Sequence, residues 1–144
     1  MVRESGLTVN PQFPFLGTSV DGLVSCSTCG EGILEIKSPY VHRNQTPQEC
    51  AADNGFCSRL VDGRLRLKDH HNYTYQVMGQ MAITRKSWCD FVIFTKKGLG
   101  VQRVVFDDSW HTTMLPKLKD FYVHVFVPEL FSERVKRGVP LFLI

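Results

Sequence analysis

Between Leu16 and Tyr40 the chain reads LGTSVDGLVSCSTCGEGILEIKSPY. An aspartate, Asp21, precedes a run of strand-forming residues that ends in Glu35-Ile36-Lys37. Successive side chains of a strand alternate between its two faces, so Glu35 and Lys37 are expected to project from the same face. The pattern therefore predicts that a carboxylate and an ammonium share one site.

Asp21 ends an apolar segment, and we expect a strand from Phe15 to Val20 to break into a bend at Gly22. Folding back through the loop would then bring Asp21 beside Glu35. Two carboxylates offer the oxygen ligands that Mg²⁺ prefers, and Mg²⁺ also takes phosphate oxygens. The pattern favours a metal-dependent phosphodiesterase centre. Each part has a simpler interpretation, since Asp-Gly is a common turn and Glu-x-Lys a common solvated pair.

Two further features of that centre concern the triplet itself. The backbone carbonyl of Ile36 would add a third metal ligand, and Lys37 would position the attacking water or stabilise charge on the phosphate. A carboxylate pair with an adjacent cation thus predicts metal binding and charge stabilisation at a phosphate.

A second motif, YTYQVMGQM, covers Tyr73–Met81. It predicts a helix that is capped by Asp69 or Asn72 and runs to about Thr84. Gln76 and Gln80 are four residues apart, so they share a helix face with Tyr73. Amides next to a metal site orient water, lysine or phosphate by hydrogen bonds, whereas surface glutamines are the alternative.

The order Asp21, loop, Glu35-Ile36-Lys37 resembles the PD-(D/E)XK nuclease superfamily. The sequence motifs LGTSVDGLV and LEIKSPY, together with the Tyr-x-x-Gln-x-x-x-Gln-Met helix, are similar to the motifs of its YqaJ or lambda-exonuclease branch. The resemblance implies an α/β fold with a restriction-endonuclease-like core, in which helices flank a mixed central β-sheet. It also implies that Asp21 and Glu35 are metal ligands, that Lys37 is the catalytic lysine and that Gln76 faces the site.

The resemblance implies a Mg²⁺- or Mn²⁺-dependent deoxyribonuclease, and by analogy a 5′–3′ exonuclease on duplex DNA ends that serves recombination or repair. The alternative is a nuclease-derived module that binds DNA and does not cleave it. Candidate DNA contacts are Ser19, Tyr73, Gln80, Arg64 and Arg66. The two arginines alternate with leucines after an Asp62-Gly63 turn, so they form either a phosphate-binding row or a solvated face.

The chain departs from the family in two places. Val20 stands where the family has a proline, which leaves the chemistry intact and loosens the local backbone. The family's upstream helices, which supply another acidic residue and basic residues, have no counterpart here. We therefore expect residues 1–144 to form a single YqaJ-like domain without those helices. A completing N-terminal segment or a homo-oligomer is then an expected partner.

Composition sets the remaining bounds. The chain has 144 residues, 43% of them hydrophobic, which suffices for a core, and a net charge of +3, which permits contact with nucleic acid. No apolar run is long enough to span a membrane, and the N-terminus lacks the apolar core of a secretory signal. Five cysteines in irregular spacing fit a reducing, intracellular compartment.

Cys26 and Cys29 form a Cys-x-x-Cys pair that we expect at a hairpin tip as two free thiols. A structural zinc site, and with it a zinc-stabilised interaction domain, is the alternative, but Cys50 and Cys57 do not form a standard second pair. His70 and His71 are expected at the surface. The other expected elements are a helix from the Thr46 cap to Ala52, paired strands Trp88–Thr95 and Val101–Phe106, a helix from Trp110 to Phe126 with a kink at Pro116 and a restart at Pro128, and an apolar tail Gly138–Ile144.

Overall fold

The computed structural model describes residues 1–142. Exposed arginines alternate with buried leucines in the strand at residues 64–67, as expected for a strand with one buried face. The chain divides into an N-terminal unit, Met1–Phe106, and a C-terminal unit from Asp107 onward. The N-terminal unit contains β1 (Val2–Arg3), β2 (Thr8–Val9), β3 (Gly17–Thr18), β4 (Gly22–Cys26), β5 (Gly30–Lys37), α1 (Pro47–Cys50), β6 (Ser58–Val61), β7 (Arg64–Leu67), α2 (Asn72–Thr84), β8 (Trp88–Thr95) and β9 (Gly98–Val105).

Five of these strands form one sheet in the order β1-β4-β5-β8-β9. The β5–β8 pair is parallel and the other pairs are antiparallel, which confirms the predicted mixed sheet. Glu35 lies opposite Phe91, and Phe91 lies opposite Gln102. Because directly paired residues share a sheet face, these three side chains form a row across β5, β8 and β9.

The core lies between that sheet face and α2. Ile33, Phe91 and Ile93 from the sheet are buried with Val77 and Met81 from the helix. Val20, in the position of the family's proline, is 4% exposed and joins this core. The apolar side chains on one side of α2 therefore pack the helix against the sheet face that carries Glu35.

The start of α2 differs from the expectation. His71 is the N-cap, whereas Asp69 lies outside the helix and Asn72 is its first residue. The His71 Nδ1 atom accepts a hydrogen bond of 3.1 Å from the Tyr73 amide. Burial and the nearby Lys68 ammonium lower the pKa of His71, and the neutral ring keeps the acceptor that a cap requires. The predicted end at Thr84 is confirmed.

The hairpin β6–β7 lies on the same sheet face. Asp62 and Gly63 both have positive φ, 50° and 72°, as the Asp-Gly turn predicts. Leu65 and Leu67 point inward and are buried. The Leu67 amide donates a hydrogen bond of 2.5 Å to Gln102 Oε1, which fixes the hairpin to β9.

α1 begins as predicted. Thr46 and Glu49 form a reciprocal capping box, and Pro47 occupies the first turn, where no amide hydrogen is needed. The helix ends at Cys50, shortly before the expected boundary. It packs through Pro47 close to Gly100 of β9.

The C-terminal unit is helical. Its elements are α3 (Trp110–Thr113), α4 (Leu115–Phe121), a π-helical segment (Tyr122–Phe126), α5 (Val127–Ser132) and a 3₁₀ turn (Val135–Arg137). As expected for a kink at Pro116, the helical run is interrupted at Met114, and Pro116 lies in the first turn of α4; Pro128, the expected restart, lies in the first turn of α5. A proline lacks the amide that continues a helix ladder, which explains both boundaries.

The tail of this unit is described as far as residue 142. The Arg134 guanidinium lies 4.4 Å from the centre of the Phe142 ring and donates a hydrogen bond to the Pro140 carbonyl. The last two residues of the predicted Gly138–Ile144 tail lie outside the described residues. Among the helices of residues 1–142, none has the length and apolarity needed to cross a bilayer. The single-domain expectation stays a prediction.

Candidate active site

Asp21 and Glu35 occupy adjacent strand positions. The Asp21 amide donates a hydrogen bond of 3.1 Å to the Leu34 carbonyl, and Gly22 pairs with Leu34 in the β4–β5 ladder. Continuing this antiparallel register by one residue puts Asp21 opposite Glu35, on the same face. The Asp21 Oδ2 atom also accepts a hydrogen bond of 2.6 Å from the Ile36 amide.

The predicted route to this arrangement was wrong. Asp21 immediately precedes β4, and the expected strand Phe15–Val20 is reduced to Gly17–Thr18. Gly22 continues straight into the sheet, where a Cβ atom would lie 2.9 Å from Val2 Cγ1. The glycine therefore allows β1 to approach closely and does not make a bend.

Glu35 is a buried carboxylate with three side-chain donors. Its side chain is 5% exposed. Oε1 accepts from Lys37 Nζ at 2.5 Å and from Gln76 Nε2 at 2.8 Å, and Oε2 accepts from Gln80 Nε2 at 2.8 Å. Burying a charge is costly unless it is paired and hydrogen-bonded, so these donors are what keeps an ionised carboxylate here.

Lys37 is held between a carboxylate and a ring. Its Nζ atom lies 4.5 Å from the centre of the Tyr73 ring, which in turn packs against Phe91 with the ring centres 6.0 Å apart. The Lys37 side chain is 20% exposed, so the ammonium is fixed in position and still accessible. A cation–π contact of this kind stabilises the charge without neutralising it.

The donor set fits a hard divalent cation. Asp21 is exposed and Glu35 buried, so two carboxylates meet at the sheet surface. The Gln80 amide contacts Glu35, and its buried Oε1 atom has no hydrogen-bond partner within the described part of the chain. Mg²⁺ uses few protein carboxylates and keeps several waters, which would donate to such an acceptor. In residues 1–142 no cluster of three or more His, Cys, Asp or Glu side chains forms a metal-binding group.

The structure brings Asp21, Glu35, Lys37 and Gln76 together, as the sequence predicted, and adds Gln80. The predicted DNA contacts are more dispersed. Ser19 is exposed two residues before Asp21, and Tyr73 lies beside Lys37. Gln80 is only 4% exposed, and its amide is directed at Glu35.

Arg64 and Arg66 lie on the outer face of the β6–β7 hairpin, where both are exposed. The cross-strand partner of Arg66 is Arg59. The hairpin is bound to Gln102, two strands from Glu35, which corresponds to about 10 Å at the usual strand spacing. Lys68, two residues after Arg66, donates to the Asn54 carbonyl at 2.6 Å.

A cavity of about 430 Å³ adjoins the site and was not predicted. It extends from Lys37 and Tyr73 past His42 and Phe56 to the exposed ring of Tyr40. His42 is held from both sides, by Gln45 Oε1 at 2.7 Å and Asp53 Oδ2 at 3.3 Å. These groups come from separate loops, so no sequence spacing connects them.

Comparison with known proteins places this arrangement in a family. The model of the YqaJ-like viral recombinase domain matches residues 1–87. The chain therefore belongs to the YqaJ-like viral recombinase family, which confirms the predicted branch of the PD-(D/E)XK superfamily.

Solved structures give the same fold. The alkaline exonuclease LHK-Exo from Laribacter hongkongensis superposes with a TM-score of 0.64 at 26% identity, over 96% of this chain and 62% of that chain. Its complex with dAMP gives a TM-score of 0.67 at 24% identity, over 96% and 63%. The restriction-endonuclease-like core is thus confirmed. The chain spans less than two thirds of the length of these structures. Among curated proteins, no match was found.

Proposed function

We propose that this chain carries the catalytic centre of a Mg²⁺- or Mn²⁺-dependent exodeoxyribonuclease that degrades duplex DNA from its 5′ ends. The supporting observation is the convergence of Asp21, Glu35 and Lys37 at one point of the sheet, with Glu35 fixed by two glutamines of α2. Membership of the YqaJ family and the likeness to an alkaline exonuclease support the same activity. Such an enzyme suits the resection step of recombination or repair.

Asp21 and Glu35 would hold the cation, with the Ile36 carbonyl as a further ligand. A bound Mg²⁺ or Mn²⁺ supplies Lewis acidity at the phosphate and makes a water more acidic. Gln76 and Gln80 keep the Glu35 carboxylate in one orientation, since each donates to a different oxygen. Gln80 acts as a buried positioning residue, whereas the exposed Gln76 also reaches the solvent side of the site.

Lys37 contributes a positive charge where the scissile phosphate would bind. Its ammonium is aligned by Glu35 and by the Tyr73 ring, so little reorganisation is needed when negative charge develops on the phosphate oxygens. The same group donates a hydrogen bond to the attacking water and orients it for in-line displacement. Chemistry at this centre thus depends on a charge that is both accessible and fixed.

A nuclease assay tests the proposal. Linear duplex DNA labelled at the 5′ or the 3′ end is incubated with the chain in Mg²⁺, in Mn²⁺ or in EDTA. We expect cation-dependent release of nucleotides from the 5′ end. Asp21→Asn is expected to lower the rate at least a hundredfold, because it removes a ligand charge, while leaving the circular dichroism spectrum unchanged.

Ser25→Ala is the control, since Ser25 also lies in the β4 strand but is distant from Asp21 and Glu35. If the wild-type chain bound the duplex and left it intact with both cations, the non-cleaving DNA-binding module would be the correct interpretation. Release from the 3′ end alone would contradict the proposed polarity.

The outer face of the β6–β7 hairpin is proposed to bind the DNA backbone. Replacing both Arg64 and Arg66 by alanine is expected to weaken DNA binding and to reduce the slope of log K against log salt by about two, because each phosphate contact contributes about 0.9. Fluorescence anisotropy at several salt concentrations measures this slope. The double variant Lys117→Ala/Lys119→Ala removes the same charge from α4 and should leave the slope unchanged. Equal effects of the two double variants would show that net charge alone is responsible.

A further inference from the structure

The tip of the β4–β5 hairpin holds two cysteines in a defined geometry. Cys26 pairs with Gly30 at the end of the ladder, and the chain reverses through Ser27, Thr28 and Cys29. The Cys29 amide donates to Cys26 Sγ at 3.3 Å, and the Thr28 hydroxyl lies 3.6 Å from the same sulfur. Gly30 follows with a φ of 74°, a conformation that favours glycine.

The turn is held firmly by the sheet beneath it. Trp88 Nε1 donates to the Cys29 carbonyl at 3.0 Å, and Arg103 stacks on the Trp88 ring at 3.8 Å. Arg103 also makes two hydrogen bonds of 2.8 Å to Asp90. Both thiols are therefore carried on a fixed turn, and Cys29 is exposed.

Backbone donors directed at a sulfur favour its thiolate. The Cys29 amide donates to Cys26 Sγ, and the Thr28 hydroxyl lies beside the same sulfur. Amide hydrogen bonds of this kind, and a neighbouring guanidinium, also offset the negative charge of metal-bound thiolates. The turn thus has the properties of one half of a tetrathiolate site.

The other half does not come from the cysteines of the same unit. Cys50, Cys57 and Cys89 are buried in the core, and burial raises the pKa of each thiol. A tetrahedral zinc site built from thiolates alone needs four sulfur ligands, and Cys26 and Cys29 supply two of them. A second copy of the chain would present the same pair across a two-fold axis.

We propose that Cys26 and Cys29 are half of a Zn²⁺ site, which the same pair of a second copy completes. Each ion then joins two chains through four thiolates, and its binding releases the remaining thiol protons to solvent. Exposed apolar side chains lie on the sheet face that carries Trp88, where two copies could bury them; they include Val105, the partner of Trp88, and Val101. This site is separate from the proposed nuclease centre, which offers oxygen ligands.

Titration of the full, reduced chain with Co²⁺ tests the proposal, because tetrahedral cobalt thiolates absorb strongly in the near ultraviolet and the visible. We expect an endpoint of one Co²⁺ per two chains. Light scattering with Zn²⁺ should show twice the mass of the 16.4 kDa chain, and the chelated protein should be monomeric. Ser27→Ala, in the same turn, should behave as wild type, whereas Cys26→Ser/Cys29→Ser should lose both the absorption and the dimer.

A second measurement covers the case in which the double variant fails to fold. Iodoacetamide labelling of the wild-type chain, followed by mass spectrometry, should modify Cys26 and Cys29 in the chelated protein, and Zn²⁺ should protect both. One Co²⁺ per chain with an unchanged mass, the absence of thiolate bands, or equal labelling with and without Zn²⁺ would overturn the proposal.

Discussion

Replacing Lys37 by glutamine is expected to slow DNA cleavage by about a hundred- to ten-thousandfold, the range for loss of a group that stabilises charge or transfers a proton. The physical reason is that the Lys37 ammonium is the cation aligned by Glu35 and Tyr73. Glutamine keeps a hydrogen-bond donor for the buried carboxylate, so the fold should persist. Single-turnover cleavage rates with saturating enzyme measure the effect on the chemical step directly.

Lys96→Gln is the matched control, because Lys96 is an exposed lysine in the turn between β8 and β9. Its cleavage rate should stay within about twofold of wild type. Such a change corresponds to well under the roughly 1.4 kcal/mol of activation free energy that gives a tenfold change in rate. A Lys37→Gln enzyme that cleaves at the wild-type rate while binding DNA normally would rule out a role for this ammonium in the reaction.

Gly32→Ala is expected to lower the free energy of unfolding by about 1–3 kcal/mol, the usual cost of overpacking. A Cβ atom at Gly32 would lie 2.2 Å from Trp88 Cε3. The indole cannot move aside easily, because it is 5% exposed, donates to the Cys29 carbonyl and is covered by Arg103. Urea denaturation, followed by tryptophan fluorescence, measures the loss.

Gly79→Ala provides the opposite control. Gly79 lies within α2, and a Cβ atom there would meet nothing within 4 Å. Alanine is favoured over glycine inside a helix by about 1 kcal/mol, so this variant should be more stable than wild type. Equal destabilisation by the two alanines would mean that the Trp88 contact is not the cause.

The sequence predicted those parts of the site that depend on local periodicity. Strand alternation put Glu35 and Lys37 on one face, and the four-residue spacing put Gln76 and Gln80 on one side of α2; both predictions are confirmed. The hairpin turn at Asp62-Gly63 was equally local. In each case the pattern extends over a few residues and fixes the geometry by itself.

Other parts depend on partners that are distant in sequence. Gly22 looked like a turn residue, and only the contact with Val2 of β1 shows why it lies in a strand. The cap of α2 was wrongly placed because His71 functions as an acceptor only when it is neutral. The wall of the cavity beside Lys37 combines several loops, and a single sequence contains no signal for that contact.

The two amides that hold Glu35 lie 41 and 45 residues further along the chain. The strand that pairs with β5 in parallel, β8, also lies far along the sequence, since it begins at Trp88. During synthesis, Asp21 and Glu35 leave the ribosome before α2 and β8, the two elements that fix Glu35 in the folded protein. Until β8 and α2 dock, Glu35 remains hydrated and unrestrained, and contacts of such long range form slowly. A nascent chain therefore reaches the folded geometry of this site only after both α2 and β8 have been synthesised.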